Sequence, residues 1–266
     1  MANNNKRLEV IQTAERVSHR DLSDNYVYQR SILAYLETAK IIHGKVLEIG
    51  TGSGYGISTV APKVGQFVTI DKFADPKVKE ENAHLTNVEF LQMTIPPISG
   101  IADNTFDFVI SFQVIEHIQN DKEYVKEIYR VLKPGGKFIV TTPNKPMSLS
   151  RNPWHIREYT ILELKNLLLK NFSSVETNGT YGNKKVMEYY NKNKESVNRI
   201  MKYDILKLQW RLHRQLLQIP FDILNRMNRK KMLNADNTLV SSIHHSDFFV
   251  APAKDDCLDL FFIAEK

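Results

Sequence analysis

The sequence predicts an α/β protein built on an open, doubly wound, mostly parallel sheet with helices on both faces. Three observations predict it. Short apolar runs alternate with helix-forming stretches from residue 45 to residue 172, the pattern of successive βαβ units. The fourth run, FDFVISF, is apolar on both faces, as a central parallel strand must be. The first run, KVLEIG, passes directly into a turn with glycine at positions 50, 52, 54 and 56. A strand, a glycine-rich turn and a helix in that order bring a ligand against the backbone at the helix N-terminus.

The elements follow in order. Lys6 to Arg20 and Tyr28 to Ile42 read as two helices, the second with Ile32, Leu33, Leu36 and Ala39 at helical spacing. Between them, SHRDLSDNYVY is polar and aromatic and suits a cover over a pocket. The strands are KVLEIG, GQFVTID ending at Asp71, VEFLQM, FDFVISF, KFIVTTPN, SSVETNG and, near the C-terminus, LDLFFIAEK, seven in all. GISTVAP, NDKEYVKEIYRVLKPGG and EYTILELKNLLLKNF read as the helices between them, the second closed by Pro134 and Gly135. Before the last strand the alternation breaks. Val186 to Met232 is almost wholly helix-forming, with Met201, Ile205, Leu208, Leu212, Leu216 and Ile219 in one stripe. The expected organisation is an N-terminal helical lid (1–43), a sheet domain (44–183 and 247–266) and a helical insertion (184–246) that caps the substrate.

The 266 residues, 42% of them hydrophobic, suffice for a full core. A single cysteine, Cys257, excludes an internal disulfide. No apolar run approaches the roughly 20 residues of a spanning helix, and the expected location is the cytoplasm. The formal charge of +6 is unevenly placed: residues 184–232 hold thirteen Lys and Arg against four acids. That segment admits three readings, namely a membrane-surface helix, a site for an acidic substrate, or a cap whose stripe packs on the domain or across a homodimer.

The glycine turn discriminates between ligands. A dinucleotide fingerprint wants a small residue where this chain has Tyr55. Glu48, two residues before the first glycine, is a poor neighbour for a pyrophosphate and a good one for a cation. On these residues the chain resembles the class I S-adenosylmethionine-dependent methyltransferases, whose first motif is an acidic residue followed by alternating glycines. ADNTFDFVISFQVIEHI is similar to the family's fourth-strand motif and VLKPGGKFIVTTPN to its fifth. NPWHIREYTILEL resembles the segment after strand five in small-molecule methyltransferases, including those of ubiquinone biosynthesis. The resemblance spans about residues 28–172 and the last strand.

The resemblance implies a Rossmann-like sheet whose last strand is antiparallel, and S-adenosyl-L-methionine as cofactor. It implies in-line methyl transfer to oxygen, or secondarily nitrogen, of a small-molecule, quinone or lipid-like, or sugar acceptor. Glu48 is expected near the ammonium, and Gly50, Thr51, Gly52, Gly54 and Tyr55 along the methionine and ribose. Asp71 is expected on the ribose hydroxyls with Lys72 beside it, Met93, Thr94 and Ile95 around the adenine, and Phe112 and Gln113 at the end of the fourth strand. The adenine loop departs from the family in lacking its usual Asp. His117 is the candidate base, with Glu116 and His155 as further catalytic candidates; the competing reading is that Glu116 and His117 only order the following helix. Some quinone O-methyltransferases bind a divalent metal through a similar motif, but Gln113 stands where an acid would help, so no metal is assigned. Tyr26 and Tyr28, in the lid, and Arg157 are candidate acceptor contacts. Two other readings compete: a nucleic-acid methyltransferase using the basic insertion, and a cofactor-binding partner without catalysis. SFQV, in place of an Asn/Asp-Pro-Pro-aromatic signature, disfavours nucleic acid.

Overall fold

The computed structural model describes residues 17–18, 20–73, 75–204 and 206–266. The expected helix Lys6 to Arg20 lies outside the described residues except at its end, as does Ile205 of the stripe. The strands are β1 (Lys45–Ile49), β2 (Gln66–Asp71), β3 (Val88–Gln92), β4 (Phe106–Phe112), β5 (Leu132–Pro143), β6 (Ser174–Gly182), β7 (Phe248–Pro252) and β8 (Asp259–Glu265). They form one sheet in the order β3-β2-β1-β4-β5-β8-β6-β7. The pairs from β3 through β5 are parallel, whereas β8 is antiparallel to both β5 and β6, and β7 is antiparallel to β6.

The reversed last strand matches expectation. The eighth strand does not: β7 is only five residues long and ends in proline, a residue tolerated at a sheet edge. A second difference concerns Lys133 to Gly136, expected to close a helix. The helix ends at Val131 and these residues already belong to β5, with a register shift between Phe106 and Phe108 on its neighbour.

The helices are α1 (Asn25–Thr38), α2 (Ile57–Val60), α3 (Pro76–Glu81), α4 (Asp121–Val131), α5 (Ile161–Leu168), α6 (Lys184–Met201), α7 (Leu208–Arg211), α8 (Arg214–Ala235) and α9 (Asn237–Ser242). Leu47, Val109 and Phe138 on one face of the sheet pack on Tyr124, Ile128 and Leu168 of α4 and α5. Val46, Phe67 and Ile110 on the other pack on Ile32, Tyr35 and Ile57 of α1 and α2. The central strands are thus covered on both sides, which is why their apolar runs are continuous.

The insertion builds a third cluster, in which Val186 and Tyr189 of α6 and Met232 of α8 meet Tyr26 and Leu33 of α1. Asp24, wholly buried, accepts hydrogen bonds from Arg226 and Arg229 and so ties α8 to the start of α1. The expected stripe is not one helix. The chain leaves α6 at Met201, resumes at α7 and turns again into α8, and Leu208, Leu212, Leu216 and Ile219 are exposed. Among the described residues no helix is long and apolar enough to cross a membrane.

Candidate active site

The glycine turn begins where β1 ends. Gly50 has φ +94° and a side chain there would strike Val114, so the turn and the end of β4 touch backbone to side chain. Gly52 has φ +55° and an added Cβ would meet no atom within 4 Å, so the space over it is open to a ligand. Asp71, the last residue of β2, accepts the Gly52 N–H at 2.9 Å through Oδ2 and the Phe73 N–H at 2.9 Å through Oδ1.

Glu48 lies beneath this turn, 2% exposed. Its Oε1 accepts the Tyr35 hydroxyl at 2.8 Å and its Oε2 the Thr69 hydroxyl at 2.5 Å. The Thr51 and Thr69 hydroxyls are 2.6 Å apart, and while Glu48 is ionised and takes the Thr69 proton, Thr51 is the donor of that bond. Burial pushes the Glu48 carboxyl up to about 7, against the hydroxyls that hold it down. An open cradle over Gly52, a carboxylate at its rim and another below it suit a cationic sulfonium ligand with a ribose, and not a pyrophosphate.

The remaining expected cofactor residues surround the same turn. Tyr28 packs edge-on against Tyr55, Tyr55 against Tyr35, and Tyr35 against Phe112 at the end of β4, with ring centroids 4.8–5.6 Å apart. Gln113 follows at φ +58°, its N–H donating to the Thr141 carbonyl at 2.9 Å. Such a conformation is strained for a side-chain-bearing residue, and here it falls where ligands gather in open α/β sheets. The Met93 N–H donates to the Asp71 carbonyl, placing Met93, Thr94 and Ile95 beside the rim. The Lys72 ammonium lies 4.8 Å from the Phe73 ring. Gly54 closes the turn against Val78 of α3.

Glu116, His117 and His155 come together, with their ligand-capable atoms all within 4.8 Å of one another. His117 Nδ1 lies 3.1 Å from the Trp154 carbonyl, which can only accept, so Nδ1 carries the proton and Nε2 the lone pair. His155 is fixed by similar logic. The Asn152 carboxamide accepts the Trp154 N–H through Oδ1, so its Nδ2 is the atom 2.8 Å from His155 Nε2. His155 therefore carries its proton on Nδ1, 2.7 Å from Glu158 Oε1. Glu116 is buried, accepts the Thr142 hydroxyl, and has its pKa raised by desolvation. The backbone carbonyl of Glu116 also accepts the N–H of Ile156, which draws the loop after β5 onto this cluster.

Beside the cluster is a cavity of about 300 Å³ between α6, α8 and the end of β5. His155, Glu158, Tyr26, Tyr190, Asn144 and Asn228 are on its walls. Tyr26 is stacked on Tyr189 at 4.3 Å. Tyr28 belongs instead to the aromatic contacts of the glycine turn. Arg157 is paired with Asp121 of α4 and is not on the cavity wall. A larger concavity of about 480 Å³ lies at the opposite end of the strands, near His43, Asp107 and Lys133, away from the turn.

Sequence reasoning missed Arg30, Asn144, Glu158 and Asp259. Asp259 opens β8, is 3% exposed, and pairs with Arg30 Nε at 3.1 Å; burial raises its pKa. The signal was present: an antiparallel last strand begins at the ligand end of the sheet, so an acid opening an apolar strand lies there.

Comparison with known proteins agrees with this geometry. The family described as "Methyltransferase domain" matches residues 47–140, which run from β1 to β5. A probable S-adenosylmethionine-dependent methyltransferase of Mycolicibacterium smegmatis is 30% identical over 95% of this chain and 93% of its own. A ubiquinone biosynthesis O-methyltransferase of Dictyostelium discoideum is 30% identical over 38% of this chain and 35% of its own. Among solved structures, a methyltransferase from Thermotoga maritima described as a possible histamine N-methyltransferase has a TM-score of 0.54 at 17% identity. It covers 91% of this chain and 92% of its own, and shows the shared fold. With a relative of this identity aligned over nearly its whole length, the chain belongs to the S-adenosylmethionine-dependent methyltransferases.

Proposed function

We propose that this methyltransferase acts on a hydroxyl oxygen of a small molecule held in the cavity between α6, α8 and the end of β5. The observation that carries the proposal is a group of buried oxygens without hydrogen-bond partners beside that cavity: Tyr26 Oη, Asn144 Oδ1 and Asp259 Oδ1. The Asn144 carboxamide donates from Nδ2 to the Asp255 and Cys257 carbonyls, so its Oδ1 can only accept. An ionised Asp259 oxygen can also only accept. Each such atom left bare costs about 1–3 kcal/mol, and an acceptor bearing more than one hydroxyl would supply the missing donors. The partial likeness to ubiquinone biosynthesis O-methyltransferases supports oxygen as the target.

S-adenosylmethionine, when bound, supplies an electrophilic methyl group on a sulfonium leaving group. The residues of this chain align the acceptor and remove its proton. Gly52 and Asp71 hold the donor side. His117 and Glu116 lie behind His155 and not on the cavity wall. For an acceptor that reaches past His155, His117, with Nδ1–H committed to Trp154, would take the hydroxyl proton at Nε2, and Glu116 beside it would stabilise the imidazolium that forms. Glu158 holds the neighbouring His155 ring. Incubation with S-adenosylmethionine and a panel of dihydroxyphenols and polyols tests the proposal, with formation of a methyl ether as the expected product.

A second reading rests on the proximity of Glu116, His117 and His155. A divalent cation held by Glu116, His117 and His155, the last after giving up the Asn152 hydrogen bond at Nε2, would lower the pKa of the acceptor hydroxyl directly. Loss of turnover on dialysis against a chelator, restored by added Mg²⁺ or Zn²⁺, would select it over the metal-free base.

A further inference from the structure

Helix α8 is apolar on two sides, and only one is covered. Phe221 and Asn228 face α6 and the cavity, and Met232 joins the third core cluster. On the opposite side, Leu216, Ile219, Ile223 and Met227 recur at steps of three and four residues, which places them on one line over about 16 Å of helix. They are 66, 72, 55 and 62% exposed, and Trp210 of α7 adds another ring at 63%. Single exposed apolar residues are ordinary, but a continuous row of this length marks a contact surface.

The charge around the row says what kind of contact. Lys202, Lys207, Arg211 and Arg214 lie at its N-terminal end, and Lys230 and Lys231 at its C-terminal end. Arg226 and Arg229 do not contribute, since both turn inward to Asp24. The two acids between Lys202 and Lys231 are engaged within the fold. Asp204 accepts the Leu208 and Gln209 N–H groups at the start of α7, and Asp222 accepts the Trp154 indole N–H. The surface is therefore an apolar ridge with cations at both ends; among the described residues Asp21 faces Lys230 at the C-terminal end, and the excess of cations is greatest at the N-terminal end, at Lys202, Lys207, Arg211 and Arg214. A second copy docked on it by a two-fold would set these cations near their own copies. An anionic bilayer satisfies both features, taking the ridge among its acyl chains and the cations among its headgroups.

We propose that α7 and the outer side of α8 form a docking surface for anionic membranes, with α8 lying in the headgroup plane. The test is flotation of the full chain with vesicles of phosphatidylcholine alone and of equimolar phosphatidylcholine and phosphatidylglycerol. The expected result is binding to the anionic vesicles at low salt, at least about tenfold weaker binding to neutral ones, and release at ~0.5 M salt. The variants Ile219→Glu with Ile223→Glu, and separately Lys207→Glu with Arg211→Glu, should each weaken binding about tenfold or more. Their thermal midpoints and cofactor affinity should stay at the wild-type level, since these side chains lie on the surface. Absence of binding to anionic vesicles at low salt would overturn the proposal, as would equal binding by the Ile219→Glu, Ile223→Glu chain. A lipid-free dimer abolished by the same pair would assign the surface to a second copy instead.

Discussion

Asp71 Oδ2 accepts the Gly52 N–H at 2.9 Å, so the acid that ends β2 and the open glycine above β1 are joined by one hydrogen bond. The carboxylate is thereby fixed in position before any ligand arrives. Asp71→Ala removes both the charge expected to meet the ribose and the bond that holds the turn. It should weaken S-adenosylmethionine binding by about 1 to 3 kcal/mol, measured by calorimetric titration. Affinity equal to wild type would remove Asp71 from the site.

His117 is the proposed proton acceptor because the Trp154 carbonyl fixes its tautomer. His117→Ala should lower kcat by about 10²-fold or more, with cofactor affinity unchanged. If the chelator experiment also abolishes turnover in the wild type, the same loss in the variant reports a missing metal ligand and not a missing base.

Arg30 and Asp259 form a buried pair at the edge of the cavity. Asp259→Asn leaves the guanidinium without its counter-charge and should cost about 3 kcal/mol of stability. The double variant Asp259→Asn, Arg30→Gln should recover much of that stability while keeping a raised KM for the acceptor. Recovery of both would make the pair a structural brace with no part in acceptor binding.

Glu48 gives a pH dependence whose sign follows from its pKa. The folded value, about 7, exceeds the ordinary 4.5, so the folded state holds a proton that the unfolded state has released. The stabilisation is fully present below the ordinary value and is lost as pH rises through 7, a change on the order of 3 kcal/mol. Thermal midpoints of Glu48→Gln should therefore fall less than those of the wild type between about pH 5 and pH 8. Parallel curves would mean that Glu48 is ionised throughout.

The sheet and the gathering of the expected cofactor residues at one turn were legible in the sequence because both depend on local pattern. The strands from β1 to β5 announce themselves as apolar runs, and the Glu48, Gly50, Gly52 and Asp71 set falls within two strand ends. The acceptor half was not legible, because its parts meet only through the fold. Arg30 and Asp259 become neighbours when β8 runs antiparallel beside β5, and His155 reaches His117 when the loop after β5 folds back onto the Glu116 carbonyl. The insertion was misread for another reason. Its stripe from Met201 to Ile219 keeps three- and four-residue steps across the two helix breaks between α6, α7 and α8, so periodicity alone could not show that it is not one helix. β7 was too short for its pattern to stand out.

The most direct measurement is carbon NMR of the product formed from S-adenosylmethionine carrying a ¹³C methyl group, using a dihydroxyphenol as acceptor. A methoxy resonance that requires both the wild-type chain and His117 is the predicted result. An N-methyl resonance from an amine acceptor turned over in preference, or a methoxy signal undiminished in His117→Ala, would contradict the proposed chemistry.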